Sequence, residues 1–255
     1  MSLNKTIVKV LSTGSKEGSV VYIGTGESSI LIDAGPAKKN IKKFMLDNNF
    51  NPAKVDAILI SHEHKDHCGG IAFADDYKIP VYASEGTLKE LKRSETGKIV
   101  KHLKTFILDG LRQTFISVTP VNVMHDAAEP LMYVIQTHDT KISVMMDTGT
   151  ITKDMLSAMA MSDVYILEAN YDEDMLANGD YHDGLKYRVS SDTGHLSNAQ
   201  TAEALNSLVR GIGEHIIITH MSAKNNTPEL AEQAIKLALF DKGLVKNKHY
   251  KLEVL

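Results

Sequence analysis

Residues 62–67 read His62-Glu63-His64-Lys65-Asp66-His67, directly after the apolar run Val55-Asp56-Ala57-Ile58-Leu59-Ile60. The apolar run predicts a buried strand. Three imidazoles and a carboxylate at its end constrain the fold, because such a crowd belongs where a rigid strand opens into a loop. Imidazole and carboxylate together suit zinc, manganese or iron. His62 and His64 alternate, so on an extended stretch they point to the same side. Asp66 and His67 follow in the turn and can aim at a second point nearby. The pattern points to two metals and not one.

Further potential ligands follow other apolar strands. His125 lies just past Val121 to Met124, Asp147 ends Lys141 to Met146, and His220 ends His215 to Thr219. Short β-rich runs at 6–11, 20–23 and 29–32 predict a meander, and the spacing of Ile41, Phe44 and Met45 predicts a helix. Strands are expected at 81–83, 115–118 and 121–124, with a hairpin over 131–146. Helices are expected at 85–94, 151–161, 199–209 and 228–240, and strands at 164–168 and 215–219. The first half is mostly strands, and the second alternates helix and strand. This reads as one domain over residues 1–255, of α/β (α+β) class: two sheets face to face with helices outside, an αββα sandwich.

A chain of 255 residues is long enough for one large domain or two small ones. Its net charge of −4 excludes general attraction to nucleic acid or anionic lipid as its dominant property. The single cysteine, Cys68, cannot form an intramolecular disulfide and is expected to be a small buried residue. No run approaches the roughly 18 apolar residues of a membrane span. The N-terminal residues lack a basic segment followed by an apolar core. No membrane partner and a cytoplasmic location are therefore the default expectations.

The order H-x-H-x-D-H, then His, Asp and His, resembles the metallo-β-lactamase-fold superfamily. The resemblance implies that one metal is held by His62, His64 and His125, and a second by Asp66, His67 and His220, with Asp147 bridging. It implies that Asp33, in Asp33-Ala34-Gly35, supports the site without ligating. Two such cations, zinc or manganese, about 3.5 to 4 Å apart can share a hydroxide as nucleophile and clamp a phosphoryl group. Asp66 would then belong to both the metal and the catalytic apparatus.

Glu168-Ala169-Asn170, Gly194-His195-Leu196-Ser197 and Thr219-His220-Met221-Ser222 look like motifs of the transfer-RNA 3′-processing nucleases. That likeness implies that Glu168 orients His195 and that His195 protonates the leaving oxygen. Several stretches are similar to the YycJ/WalJ-type proteins, described as 5′-to-3′ DNA exonucleases. They are Ser12 to Ser19, Ile60 to His67, Glu168 to Asp172, Leu185 to Val189 and Gly194 to Asn198, with Ser19 standing where that family usually has Asn. The expected function is a dinuclear-metal phosphodiesterase acting on DNA ends or single strands.

Ser15, Lys186, Arg188, Lys224 and Asn226 are the expected substrate contacts. Only 72 residues separate Asp147 from His220, which leaves no room for a large inserted cap. Lys89, Lys92, Arg93, Lys98, Lys101 and Lys104 form a basic stretch, expected to be a solvated helix face, with DNA contact as the alternative. Tyr171, Tyr181 and Tyr187 are the stacking candidates. His102, His138, His182, His215 and His249 are expected to be surface or packing residues, with His182 the one to test. The alternative enzyme is a hydrolase of small thioesters or lactones. A scaffold with a vestigial metal site is the non-enzymatic alternative.

Overall fold

The computed structural model describes residues 5–14, 16–26, 28–108 and 115–255. Ser15 lies outside the described residues. Contacts divide the chain into two compact units, Met1–Pro120 with Ala127–Thr140, and Val121–Asp126 with Lys141–Leu255.

The first unit holds a six-stranded sheet in the order of the chain: β1 (Ile7–Ser12), β2 (Val20–Thr25), β3 (Ser28–Ile32), β4 (Val55–Leu59), β5 (Val81–Ala83) and β6 (Lys98–Ile99). β1 to β3 are antiparallel, the predicted meander, and β3 to β6 run parallel. The switch requires a crossover, supplied by helix α1 (Lys38–Asp47) between β3 and β4. Ile41 and Met45 of α1 are buried while the lysines around them are exposed. They join Leu31, Ile58, Ile60 and Phe73 in one core cluster. Short helices α2 (Lys65–Cys68), α3 (Ala72–Tyr77) and α4 (Glu85–Glu90) complete the crossovers to β5 and β6. Three further strands follow, β7 (Phe106–Ile107), β8 (Ser117–Asn122) and β9 (Leu131–Gln136). β8 carries Pro120 inside it and is one strand where two, 115–118 and 121–124, were expected.

The second unit contributes β10 (Lys141–Met145), β11 (Val164–Glu168), β12 (Glu214–Thr219) and β13 (Tyr250–Val254), parallel in that order. Their crossovers are α5 (Lys153–Met159), the α6 (Glu173–Asn178), α7 (Asp183–Ser190) and α8 (Asn198–Leu208) series, and α9 (Pro228–Asp241). β11 is buried along its whole length, which is why it reads as a continuous apolar run. α9 begins with Thr227 accepting from Leu230 N and with Pro228 in its first turn, and it buries Ala231, Ile235 and Leu239 at four-residue spacing. β13 was not predicted: its alternation of Lys251 and Glu253 with Leu252 and Val254 is too short to stand out.

Candidate metal centre

In the first unit, β4 ends at Leu59 and delivers His62 and His67 into buried positions. His62 and His64 rings lie edge to face at 4.6 Å, and His62 and His67 at 4.2 Å. Asp33, fully buried at the end of β3, organises this group. Its carboxylate accepts from Ser61 N at 2.7 Å, Ser61 Oγ at 2.9 Å and His67 Nδ1 at 2.7 Å. With Nδ1 donating, His67 Nε2 keeps its lone pair and faces Asp66, 3.8 Å from Oδ2. A carboxylate behind an imidazole is the usual support of a histidine ligand, fixing its tautomer and raising its basicity. Asp66 is placed by its backbone: Ser19 N donates to its carbonyl at 2.7 Å. Gly35 packs so closely there that a Cβ would lie 1.8 Å from the Asp66 carbonyl oxygen. Cys68 is buried, as expected, and its thiol donates to Glu63 O, while burial pushes its pKa up to about 11. That thiol is a packing group.

In the second unit, three neighbouring parallel strands each end in one of the acidic or histidine residues singled out from the sequence. Met145 pairs with Leu167 and Glu168 with Thr219, so Asp147, Glu168 and His220 emerge side by side at the carboxyl ends of β10, β11 and β12. Asp147, Glu168, His195 and His220 offer ligand atoms that all lie within 4.8 Å of one another. His195 Nδ1 is 3.0 Å from Glu168 Oε2 and 3.1 Å from Asp147 Oδ1. His220 Nδ1 is 3.0 Å from the same Asp147 oxygen. His125 donates from Nδ1 to Gly194 O at 3.0 Å, which leaves its Nε2 as the acceptor.

Glu168 has no exposed surface, and its other oxygen accepts from Thr148 N at 2.7 Å. Burial raises its pKa, but His195 and His220 outweigh burial and bring it below the usual range. Burial lowers the His195 pKa, and Glu168 with Asp147 overcomes that and holds it up to about 10. His125 is pushed down by burial, opposed by Asp147.

The backbone is specialised at these positions. Asp33, Asp147 and His220 have φ of 63°, 56° and 55°, in the left-handed region. That conformation is uncommon for residues other than glycine and costs energy that the surroundings must supply. Asn170 supplies part of it at His220, donating from Nδ2 to the His220 carbonyl at 2.9 Å. Gly194 is required behind His195, since a Cβ there would lie 2.2 Å from Arg188 O.

The expected substrate contacts have varied surroundings. Arg188 forms a two-point ion pair with Asp126, at 2.6 and 3.1 Å. Lys186 donates to Ala177 O at 2.7 Å. Lys224 is exposed, with its ammonium 5.6 Å from the centre of the Tyr181 ring. Asn226 is buried, its amide shared with Asn198 and Ala169 O and its oxygen also accepting from Thr227 N. His182 caps α7, accepting from Leu185 N. Sequence reasoning missed Thr148, Asp126 and Glu63, whose roles run through contacts distant in sequence. Glu63 Oε1 accepts from Ala128 N, for example.

A family model for the beta-lactamase superfamily domain matches residues 28–221. The chain belongs to this superfamily. It is 34% identical over 237 residues to the exodeoxyribonuclease YycJ of Bacillus anthracis, covering 92% of this chain and 89% of that protein. It is 35% identical over 241 residues to the exodeoxyribonuclease WalJ of Streptococcus pneumoniae, with the same two shares. Among solved structures it is similar to the metallo-β-lactamase-fold protein YhfI of Bacillus subtilis, with a TM-score of 0.73 at 15% identity, over 99% of this chain and 97% of that one. It is also similar to zinc-bound PqqB of Methylobacterium extorquens, with a TM-score of 0.68 at 16% identity, over 97% of each chain. The fold is thus the metallo-β-lactamase sandwich expected from the sequence. With metal-chelating clusters at the strand ends, this member of the superfamily is a metal-dependent hydrolase.

Proposed function

We propose that the protein is a dinuclear-metal phosphodiesterase that degrades DNA from strand ends in the 5′-to-3′ direction. The observation that carries the reading is the Glu168–His195 pair, a buried carboxylate 3.0 Å from an imidazole within a metal-chelating cluster. Relatives named as exodeoxyribonucleases match it over nine-tenths of both chains, which supports DNA as the substrate.

In this reading residues 1–255 form a single domain, because one family domain over 28–221 contains every proposed ligand. His62, His64 and His125 hold one zinc or manganese ion, Asp66, His67 and His220 hold the other, and Asp147 bridges. The donor set fits such ions. His67 and His125 each commit Nδ1 to an internal acceptor and so present Nε2 outward. Bound divalent ions supply Lewis acidity and a nucleophile at neutral pH.

The chain's own residues do the rest. Glu168 holds His195 by Nδ1 and favours its protonated form. Its Nε2–H then donates to the departing deoxyribose oxygen as the phosphodiester breaks. Lys224, exposed beside Tyr181, contacts the strand. Lys186, Arg188 and Asn226 shape the loops that receive it, Arg188 through Asp126.

The test is cleavage of end-labelled single strands, with zinc, manganese or magnesium added in turn, beside a thioester and a lactone. The reading expects mononucleotides released progressively from the 5′ end. Turnover of the thioester or lactone with the oligonucleotide intact overturns it.

A further inference from the structure

The basic stretch after α4 has an organisation that the metal site does not use. Between Thr96 and Leu108 there are three lysines and no acidic residue, in a chain whose net charge is −4. Lys98, Lys101 and Lys104 are all exposed, and none has an ion-pair partner among the described residues. Ile99, Leu103 and Ile107 between them are about half exposed. The segment is not a helix face: Lys98 and Ile99 form β6, the edge of the six-stranded sheet.

Sheet register fixes where the segment goes. Leu59 pairs with Tyr82 and Tyr82 with Lys98, all in parallel strands. Two strand spacings put Lys98 about 10 Å from Leu59. His62 lies three residues beyond Leu59 and Lys101 three residues beyond Lys98, so both leave the same end of the sheet. Val100 N donates to Ala83 O at 2.9 Å, which continues the ladder to that end. Tyr82 also stacks on Phe106, with ring centres 5.4 Å apart and planes 11° from parallel. Both rings are half-buried. A half-open aromatic pair in a segment with three exposed lysines has the composition of a single-strand platform, with rings for bases and lysines for phosphates.

We infer that residues 98–107 with Tyr82 form a track for single-stranded nucleic acid, holding the part of the strand that trails from the metal centre. The inference rests on the proposed nuclease function. It commits to a polynucleotide because ordered aromatic stacking accompanies the positive charge.

The experiment measures binding of a 20-nucleotide phosphorothioate oligothymidylate to the metal-loaded protein from 50 to 300 mM salt. The variant carries Lys98→Gln, Lys101→Gln and Lys104→Gln together. Three lost phosphate contacts should flatten the plot of log affinity against log salt by about 2. Phe106→Leu should weaken binding several-fold with the salt slope unchanged. The ratio of kcat/KM for a 20-mer to that for a dinucleotide should fall at least tenfold in the triple variant.

An unaltered slope overturns the track, as does an equal loss on both substrate lengths. Binding of the wild type to phosphatidylglycerol vesicles but not to the oligonucleotide also overturns it. Absence of cleavage of either substrate by the wild type refutes the nuclease reading, and the salt slope reports on the track separately.

Discussion

Glu168→Gln removes one charge from the interior and almost nothing else. The glutamate has no exposed surface, and its two oxygens accept from Thr148 N at 2.7 Å and His195 Nδ1 at 3.0 Å. Glutamine has one acceptor oxygen and one NH2 group. In either orientation the NH2 meets a group that had donated to the carboxylate, and the lost charge-assisted bond costs about 1–3 kcal/mol, with His195 Nδ1 still beside Asp147 Oδ1. At roughly 2–4 °C per kcal/mol for a chain near this size, the melting midpoint falls by about 2–12 °C. The variant therefore folds, and its kinetics can be read.

The same substitution removes the carboxylate that does most to hold the His195 pKa up to about 10. A general acid must carry its proton, so lowering that pKa moves the alkaline limb of kcat to lower pH. Loss of a positioned acid costs about 10²–10⁴-fold in rate. The assay is kcat from pH 6 to 10 at saturating metal and DNA, with metal content measured on the same samples. Wild-type kcat with an unmoved alkaline limb would refute the reasoning. Loss of metal in proportion to activity would show that Glu168 acts through the ions and not through His195.

Three other perturbations probe the supports. Asp33→Asn tolerates the left-handed backbone but turns an NH2 toward Ser61 or His67. Metal affinity should then fall about 10–100-fold in chelator competition, and wild-type affinity would show that Asp33 does not orient His67. Gly35→Ala places a methyl 1.8 Å from the Asp66 carbonyl oxygen, so the folded variant should bind fewer metal ions by mass spectrometry; full loading would mean that the loop yields freely. Burial raises the Asp139 pKa, but bonds from Thr6, Thr140 and Thr137 outweigh it and bring it to about 2. The unfolded value is about 3.9, so this carboxylate adds stability above pH 4 that is lost as pH falls toward 2. Asp139→Asn should lower the melting midpoint at pH 7 and flatten its decline between pH 4 and 2, and an unchanged acid limb would contradict this.

Much of the architecture was legible because strand ends carry strong signals. Apolar runs ending in His, Asp or Glu marked β4, β10, β11 and β12, and the order of the ligands matched a superfamily. Other features were closed to sequence reading for physical reasons. A positive φ at Asp33, Asp147 and His220 leaves no trace in periodicity, because it is imposed by partners such as Asn170, fifty residues from His220. Arg188 reads as a free cation, yet Asp126, 62 residues away, accepts two hydrogen bonds from it. Asn226 reads as a polar loop residue, and its amide is spent inside the fold. Conversely, the run from Lys89 to Lys104 suggested a solvated helix face, whereas its second half is an edge strand and a turn. Polar side chains are the hardest to place from local pattern, since their partners decide their role.

The central claim is that seven side chains grip two ions. Anomalous scattering from a zinc-loaded crystal tests it directly. The account predicts two peaks about 3.5–4 Å apart, one on His62, His64 and His125 and one on Asp66, His67 and His220, with Asp147 touching both. A single peak, or peaks on any other set of side chains, would contradict it.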